Sequence, residues 1–305
     1  MTSSLAFIFP GQGSQHAGMG AELLADREIS GLCDSCAAAA GIDLRHLLDG
    51  ADDDELRLTQ NAQPALTFAG IALARLLGRR GVVPDAVAGH SVGEYTALAV
   101  AGAISPEAAM RAVVARGRAM AEAAPPGTST MAAALGLAPD AVVTALEPID
   151  DVWPANFNTP TQTVIAGTID GVERGTARLE QAGARRVLPL NVSAAFHTPL
   201  MAPAARALRA ALDELDWHEP ALPVISNVDA HEYPGAREAP ELLERQLRSP
   251  VRWADCVARL VAVGCSRFVE VGPKRVLTGM MRELAPRAWT AAVATPTACE
   301  ALAVP

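Results

Sequence analysis

The pentapeptide Gly89-His90-Ser91-Val92-Gly93 constrains this 305-residue chain more than any other stretch. An apolar run, "PDAVA", leads into it, and an Ala- and Leu-rich run, "VGEYTALAVAGA", leads out. G-x-S-x-G between a strand and a helix is the nucleophile elbow, a turn so tight that its flanking residues must be small. The serine hydroxyl then projects above the sheet, where the helix dipole and free N–H groups favour negative charge developing on its oxygen. Ser91 is therefore the expected nucleophile, on a parallel sheet covered by helices.

The rest of the chain carries the same alternation. "LAFIFP" reads as a first strand, "AQPALTFAGIALARLLGRRG" as a helix closed by Gly81, and "SPEAAMRAVVARGRAMAEAA" as a helix after the elbow. After "PPGTST", residues 125–130, the texture changes. Strand "MAAALGL", helix "APDAVVTALEP", strands "VWPANFN" and "TQTVIAG", helix "TIDGVERGTARLEQAG" and strand "RRVLPL" follow in the ferredoxin-like order βαββαβ. "ALPVISNV" and "SRFVEVG" then return to the larger pattern as strands. The expected fold is α/β: an α/β-hydrolase-like large domain with a parallel sheet over 1–128 and 191–305, carrying an inserted ferredoxin-like subdomain over 129–190.

Composition narrows the function classes. With half the residues hydrophobic and only 4% aromatic, the core must be built from Ala, Val and Leu, and a net charge of -9 speaks against nucleic acid as a partner. Five cysteines form no framework of short spacings, which points to a reducing compartment. Cys33 and Cys36 have redox or metal spacing but sit in an Ala-rich helical run without a partner pair, so they read as structural. The amino terminus reads as a buried strand and no run approaches the roughly 18 apolar residues of a membrane span, so the expected location is the cytoplasm. The run "DDDE" at 52–55 reads as a solvated helix start. No metal site is expected.

A serine at neutral pH needs a base. His46, His218 and His231 lie in polar settings, His16 follows a glycine-rich turn, and His90 sits beside the nucleophile as a support. His197, in "LNVSAAFHTPLM", reads as a strand exit into a Pro-containing helix start on the large domain. The order departs from the α/β-hydrolases, which run Ser, acid, His, with the histidine late in the chain; more than 100 residues follow His197.

Along nearly its whole length the chain resembles the malonyl-CoA:acyl carrier protein transacylase family and the related acyltransferase domains of polyketide synthases. The matching pieces are "FPGQGSQHAGMG", "TQNAQPAL", "GHSVGEYTALAVAGA", "VVARGRAM", "ANFNTPTQTVIAG", "VSAAFHTPLM", "QLRSPVRW" and "FVEVGPKRVLTGMM". The resemblance implies Ser91 as the acylated nucleophile, His197 as general base and then acid, and the backbone carbonyl of Gln246 as the group that orients the imidazole. It implies an oxyanion hole from the backbone N–H groups of Gln12 and Val92, the latter a leucine in many relatives. Arg116 would clamp the malonyl carboxylate through two parallel charge-assisted hydrogen bonds, and Phe196 would restrict a 2-methyl branch. Gln63 and Asn156 match positions near the pocket.

The activity so implied is malonyl transfer from malonyl-CoA to the phosphopantetheine thiol of an acyl carrier protein, by a ping-pong route that needs no cofactor. The partners would be malonyl-CoA and an acidic carrier protein, with Arg185, Arg186, Arg245, Arg248, Arg252, Lys274 and Arg275 as candidates for a local basic surface. Two alternatives share the catalytic pair: an acyl-serine hydrolase that edits carrier proteins, for which Arg116 would be unnecessary, and the loading subunit of a malonate decarboxylase.

Overall fold

The computed structural model describes residues 4–125, 127–192 and 194–305. Met1–Ser3, Pro126 in the segment where the texture changes, and Ser193 in the His197 segment lie outside the described residues.

Two sheets organise the chain. The larger has the order β7 (Val224–Ile225), β2 (Ala86–Gly89), β1 (Ser4–Phe9), β8 (Cys265–Val271), β9 (Trp289–Val293), and every neighbouring pair is parallel. A sheet covered on both faces needs strands that are apolar on both sides, and β1 meets this requirement residue by residue. Leu5, Phe7 and Phe9 enter one core cluster while Ala6 and Ile8 enter the other. The first cluster packs under helices Thr59–Arg79, Gly93–Val100, Pro106–Ala123 and Ala202–Asp213; the second packs under Trp253–Ala262 and Val276–Leu284.

The smaller sheet is antiparallel, with the order β4 (Val152–Thr159), β5 (Gln162–Thr168), β3 (Ser129–Leu135), β6 (Arg186–Pro189). Helices Pro139–Leu146 and Ile169–Gln181 complete the βαββαβ order, and Ala132, Ala134, Val142, Leu146, Ile165 and Leu179 fill the space between sheet and helices. Met131, Ala133, Val164 and Ala166, which alternate with these, join the main core instead. Period-two alternation thus seats this sheet against the main core.

Two expectations are corrected and one strand is added. The run "ALPVISNV" forms only the two-residue strand β7, at the sheet edge, because Pro223 brings no N–H and the chain turns back so that Ile225 bridges Glu232. Strand β9 went unread because it is a partly exposed edge strand without an alternating pattern. His197 is not at a strand exit: β6 ends at Pro189, the residues described between it and His197 belong to no strand, and the Ala195 N–H donates to Ser129 Oγ at 3.1 Å.

The "DDDE" run does open a helix, Asp53–Arg57, whose Asp52 cap accepts from the Glu55 N–H. Cys33 and Cys36 lie buried on helix Arg27–Ala40, and burial pushes their thiols up to about 11 and about 12, values that make both inert near neutrality. Among the described residues no helix is long and apolar enough to cross a membrane.

Candidate active site

Strand β2 ends at Gly89 and helix Gly93–Val100 begins four residues later. A Cβ on Gly89 would lie 1.9 Å from the Gly93 carbonyl carbon, and one on Gly93 would lie 2.3 Å from the Phe9 carbonyl oxygen. Neither position admits a side chain. Between them Ser91 has φ 53°, a left-handed conformation unusual outside glycine that is held by the surrounding structure. Asn227 supplies part of that hold: its Oδ1 accepts from the Ser91 N–H at 2.7 Å and its Nδ2 donates to the Gly89 carbonyl at 2.7 Å.

His197, also at positive φ (60°), is buried and brings Nε2 to 2.8 Å from Ser91 Oγ. Its Nδ1 lies 2.8 Å from the Gln246 backbone oxygen. A carbonyl can only accept, so Nδ1 carries the proton and Nε2 offers its lone pair to the serine hydroxyl. Burial, and after it the Arg116 charge, push the imidazole down to about 3, so it is neutral and ready to accept a proton at physiological pH. The expected pairing of Ser91, His197 and the Gln246 carbonyl is thus present as geometry, with no carboxylate in it.

Arg116 projects from helix Pro106–Ala123 and is 1% exposed, whereas Arg118 on the same helix is exposed. Its Nη1 donates to Gln63 Oε1 at 2.8 Å; its Nη2 donates to Gln246 Oε1 at 2.9 Å and to Ser91 Oγ at 3.1 Å. The guanidinium lies 5.6 Å from the Tyr95 ring centroid, within cation–π range. Its Nε is a buried donor with no acceptor among the described residues. Burial lowers its pKa, but a guanidinium starts too high to lose its charge near neutrality.

Gln63 passes this network on. Its Nε2 donates to Thr59 Oγ1 at 2.7 Å, and Thr59 Oγ1 donates to Gln12 Oε1 at 2.8 Å. Gln12 follows β1 and Val92 follows the end of β2; these strands are parallel neighbours with Phe9 opposite Gly89, so both residues stand beyond the carboxyl ends of adjacent strands. Among the described residues neither N–H donates to a protein acceptor.

The remaining expected residues are less engaged. Phe196 is buried in the main core cluster beside His197. Asn156 is buried on β4, bridges Val251, and makes no hydrogen bond to the cluster among the described residues. Its neighbour Asn158 reaches the elbow instead, with Oδ1 at 3.0 Å from His90 Nε2. His90 also stacks obliquely on Trp253, with ring centroids 5.6 Å apart, which fits a supporting residue. His16, His46, His218 and His231 are exposed. Of the basic candidates, Arg248 pairs with Glu244 and Arg252 with Asp255, while Lys274 donates to the Gly13 carbonyl.

Glu94, Asn227 and Tyr233 escaped the reading of the sequence. An acidic residue in the first turn of a helix is usually exposed and serves the dipole. Nothing local shows that Glu94 is fully buried or that it meets residues more than 130 positions away.

Comparison with known proteins places this geometry in context. The chain matches the acyl transferase domain family over residues 6–295. It is 41% identical over 303 residues to the malonyl CoA-acyl carrier protein transacylase of Bacillus subtilis (strain 168), covering 98% of this chain and 96% of that protein. Among solved structures, the malonyl-CoA:acyl carrier protein transacylase from Xanthomonas oryzae pv. oryzae superposes with a TM-score of 0.94 at 41% identity, covering 100% of both chains. A malonyl-transacylase solved in complex with its type II PKS acyl-carrier protein superposes with a TM-score of 0.93 at 38% identity, covering 98% of both chains.

Proposed function

Since the chain belongs to the acyl transferase family and, within it, to the malonyl CoA-acyl carrier protein transacylases, we infer that it transfers malonyl groups from malonyl-CoA to a phosphopantetheinylated acyl carrier protein. The observation that carries this reading is the buried Arg116 guanidinium, 3.1 Å from the nucleophile oxygen, with its Nε unmatched by an acceptor among the described residues. A desolvated cation beside a nucleophile, with no carboxylate in direct contact, is costly, and an anion brought by the substrate offsets that cost; a malonyl group ends in a carboxylate.

The reaction runs in two halves. His197 Nε2 takes the Ser91 proton as Oγ attacks the malonyl thioester carbonyl, and the resulting oxyanion rests on the N–H groups of Gln12 and Val92. Collapse breaks the C–S bond, and the imidazolium returns its proton to the leaving CoA thiolate. The carrier thiol then attacks the malonyl-serine ester, giving its proton to His197, which returns it to Ser91 Oγ as the ester breaks. The Gln246 carbonyl holds the imidazole tautomer throughout, and Phe196 narrows the space beside the acyl α-carbon. Every step moves protons and an acyl group between side chains and thiols, so it calls for no metal or redox group. Gln63 positions Arg116, and Asn156 supports the pocket from β4 without touching its hydrogen-bonded groups.

The chain divides functionally at residues 129 and 190: the large part carries nucleophile, base and clamp, and the small sheet reaches the elbow through Asn158, which meets His90. Malonyl-CoA and the carrier protein are the partners, and fatty acid or polyketide synthesis in the cytoplasm is the setting that the relatives' activity supports. The hydrolase and decarboxylase-subunit readings are not favoured, since relatives matching nearly the full length carry transacylase names. Incubation with malonyl-CoA and holo carrier protein tests this directly. Malonyl-carrier product should far exceed free malonate, and the reverse ratio would select the hydrolase.

A further inference from the structure

Glu94 is fully buried one turn beyond the nucleophile, yet its carboxylate serves no group of its own helix. The Tyr233 hydroxyl donates to Oε1, while the Asn227 N–H donates to Oε2 at 3.0 Å and Gln246 Nε2 to the same oxygen at 2.7 Å. Gln246 Nε2 also donates to the Ser91 carbonyl at 3.0 Å, so both amide protons are committed and Oε1 faces Arg116. Turning the amide over would set its oxygen against a carboxylate and its protons against a guanidinium. Through two residues, Glu94 thus orients the nucleophile's Asn227 brace and the amide that touches the clamp.

The charges around it are few. Arg116, Tyr233, Tyr95 and Cys256 are the titratable or charged groups that face Glu94 from the neighbouring elements. Burial pushes both tyrosines and the thiol upward, so they are neutral in the working range. Arg116 and Glu94 are left as one cation and one ionisable carboxyl, joined by an amide. Desolvation raises Glu94 to about 7 against the lowering effect of its donors and of Arg116. A second carboxylate arriving on the guanidinium makes two anions for one cation in a buried cluster, which desolvation disfavours.

We propose that Glu94 is a positioning residue and the resident counter-ion of the acyl-carboxylate site, joined to Arg116 through the Gln246 amide, and that seating a malonyl carboxylate on Arg116 shifts Glu94 towards its protonated form, the proton coming from solvent. The proposal rests on the malonyl-transfer reading above and adds a linkage between acyl recognition and protonation. Malonyl binding raises the pKa of Glu94, so malonyl donors are favoured at low pH and lose ground as pH rises through about 7. An acetyl donor brings no second anion and is exempt.

The test is the ratio of kcat/KM for malonyl-CoA to that for acetyl-CoA between about pH 6 and 9, with one carrier protein. Titrations of the CoA phosphates, the carrier thiol and His197 are common to both donors and cancel. The wild-type ratio should fall roughly three- to tenfold across this range, one pKa unit of coupling corresponding to tenfold. Glu94→Gln keeps an acceptor for Gln246 and Asn227 but loses the charge; its ratio should be independent of pH and at least as high as the low-pH value of the wild type. Tyr233→Phe removes a donor to the carboxylate and should move the fall to higher pH. A Glu94→Gln ratio that falls as the wild type does, or equal losses for both donors at every pH, would mean a merely structural carboxyl and overturn the proposal. If Glu94→Gln does not fold, Tyr233→Phe decides, and an unshifted profile overturns it. A wild type that transfers malonyl with a pH-independent ratio overturns the proposal alone; one that transfers no malonyl overturns the functional reading with it.

Discussion

The Arg116 guanidinium donates to Ser91 Oγ over 3.1 Å, so the charge that would read the acyl chain touches the atom that would attack it. On that reading recognition and nucleophile share one pocket. An acyl group whose far end pairs with Arg116 must present its thioester carbonyl close to Ser91, which converts binding into orientation.

Arg116→Ala should cost roughly 2 to 5 kcal/mol in kcat/KM for malonyl-CoA, because the substrate carboxylate would enter a desolvated pocket unpaired. Acetyl transfer should be unchanged or improved, so the malonyl preference should collapse. Arg116→Lys keeps the charge without the fork and should recover only part of it. Steady-state kinetics with both donors decides; equal losses would make Arg116 a support of the fold only.

Ser91→Ala should fold normally, since alanine meets the φ of 53° at no greater cost than serine and the two buried groups that lose Oγ keep other partners, Arg116 Nη2 the Gln246 Oε1 and the neutral His197 the Gln246 carbonyl. Transfer should fall by about 10³-fold or more. Mass spectrometry after mixing with malonyl-CoA should find no added malonyl mass; a persistent covalent adduct would move the nucleophile elsewhere.

His197 links stability to pH. Its folded value, about 3, lies below the unfolded value of about 6.5, so the neutral form is the one that the fold favours. The stabilisation is fully present above pH 6.5 and is lost as pH falls from there towards 3, with a limiting slope of about 1.4 kcal/mol per pH unit. Denaturant titrations of wild type and His197→Gln over this window should diverge, the variant losing less on acidification. Parallel curves would show that the imidazole protonates without strain.

Gly89→Ala tests the elbow. A Cβ there would meet the Gly93 carbonyl carbon at 1.9 Å, and backbone cannot yield as a side-chain tip can. The substitution should destabilise by about 3 kcal/mol or more, at the upper end for overpacking, and soluble protein should have little activity. A midpoint of chemical unfolding within error of wild type would refute the packing argument.

By itself, the sequence determined the α/β architecture, the elbow and the candidate site residues. Each has a local signature: an apolar run for a strand buried on both faces, paired glycines for a turn without room, and segments around Arg116 and His197 that match a family pattern. Local signatures do not carry burial or partnership. The edge strand Trp289–Val293 has too little contrast between its faces to be read, and His197 owes its place to irregular backbone held by distant contacts rather than to a strand. Glu94 is the clearest case. It stands in the best-marked segment of the chain, yet its meaning depends on Tyr233, Gln246 and Asn227, which only folding brings within hydrogen-bond reach. A carboxyl in a helix's first turn is ordinary in water and consequential when buried, because the missing solvent leaves protein donors and one guanidinium to set its charge.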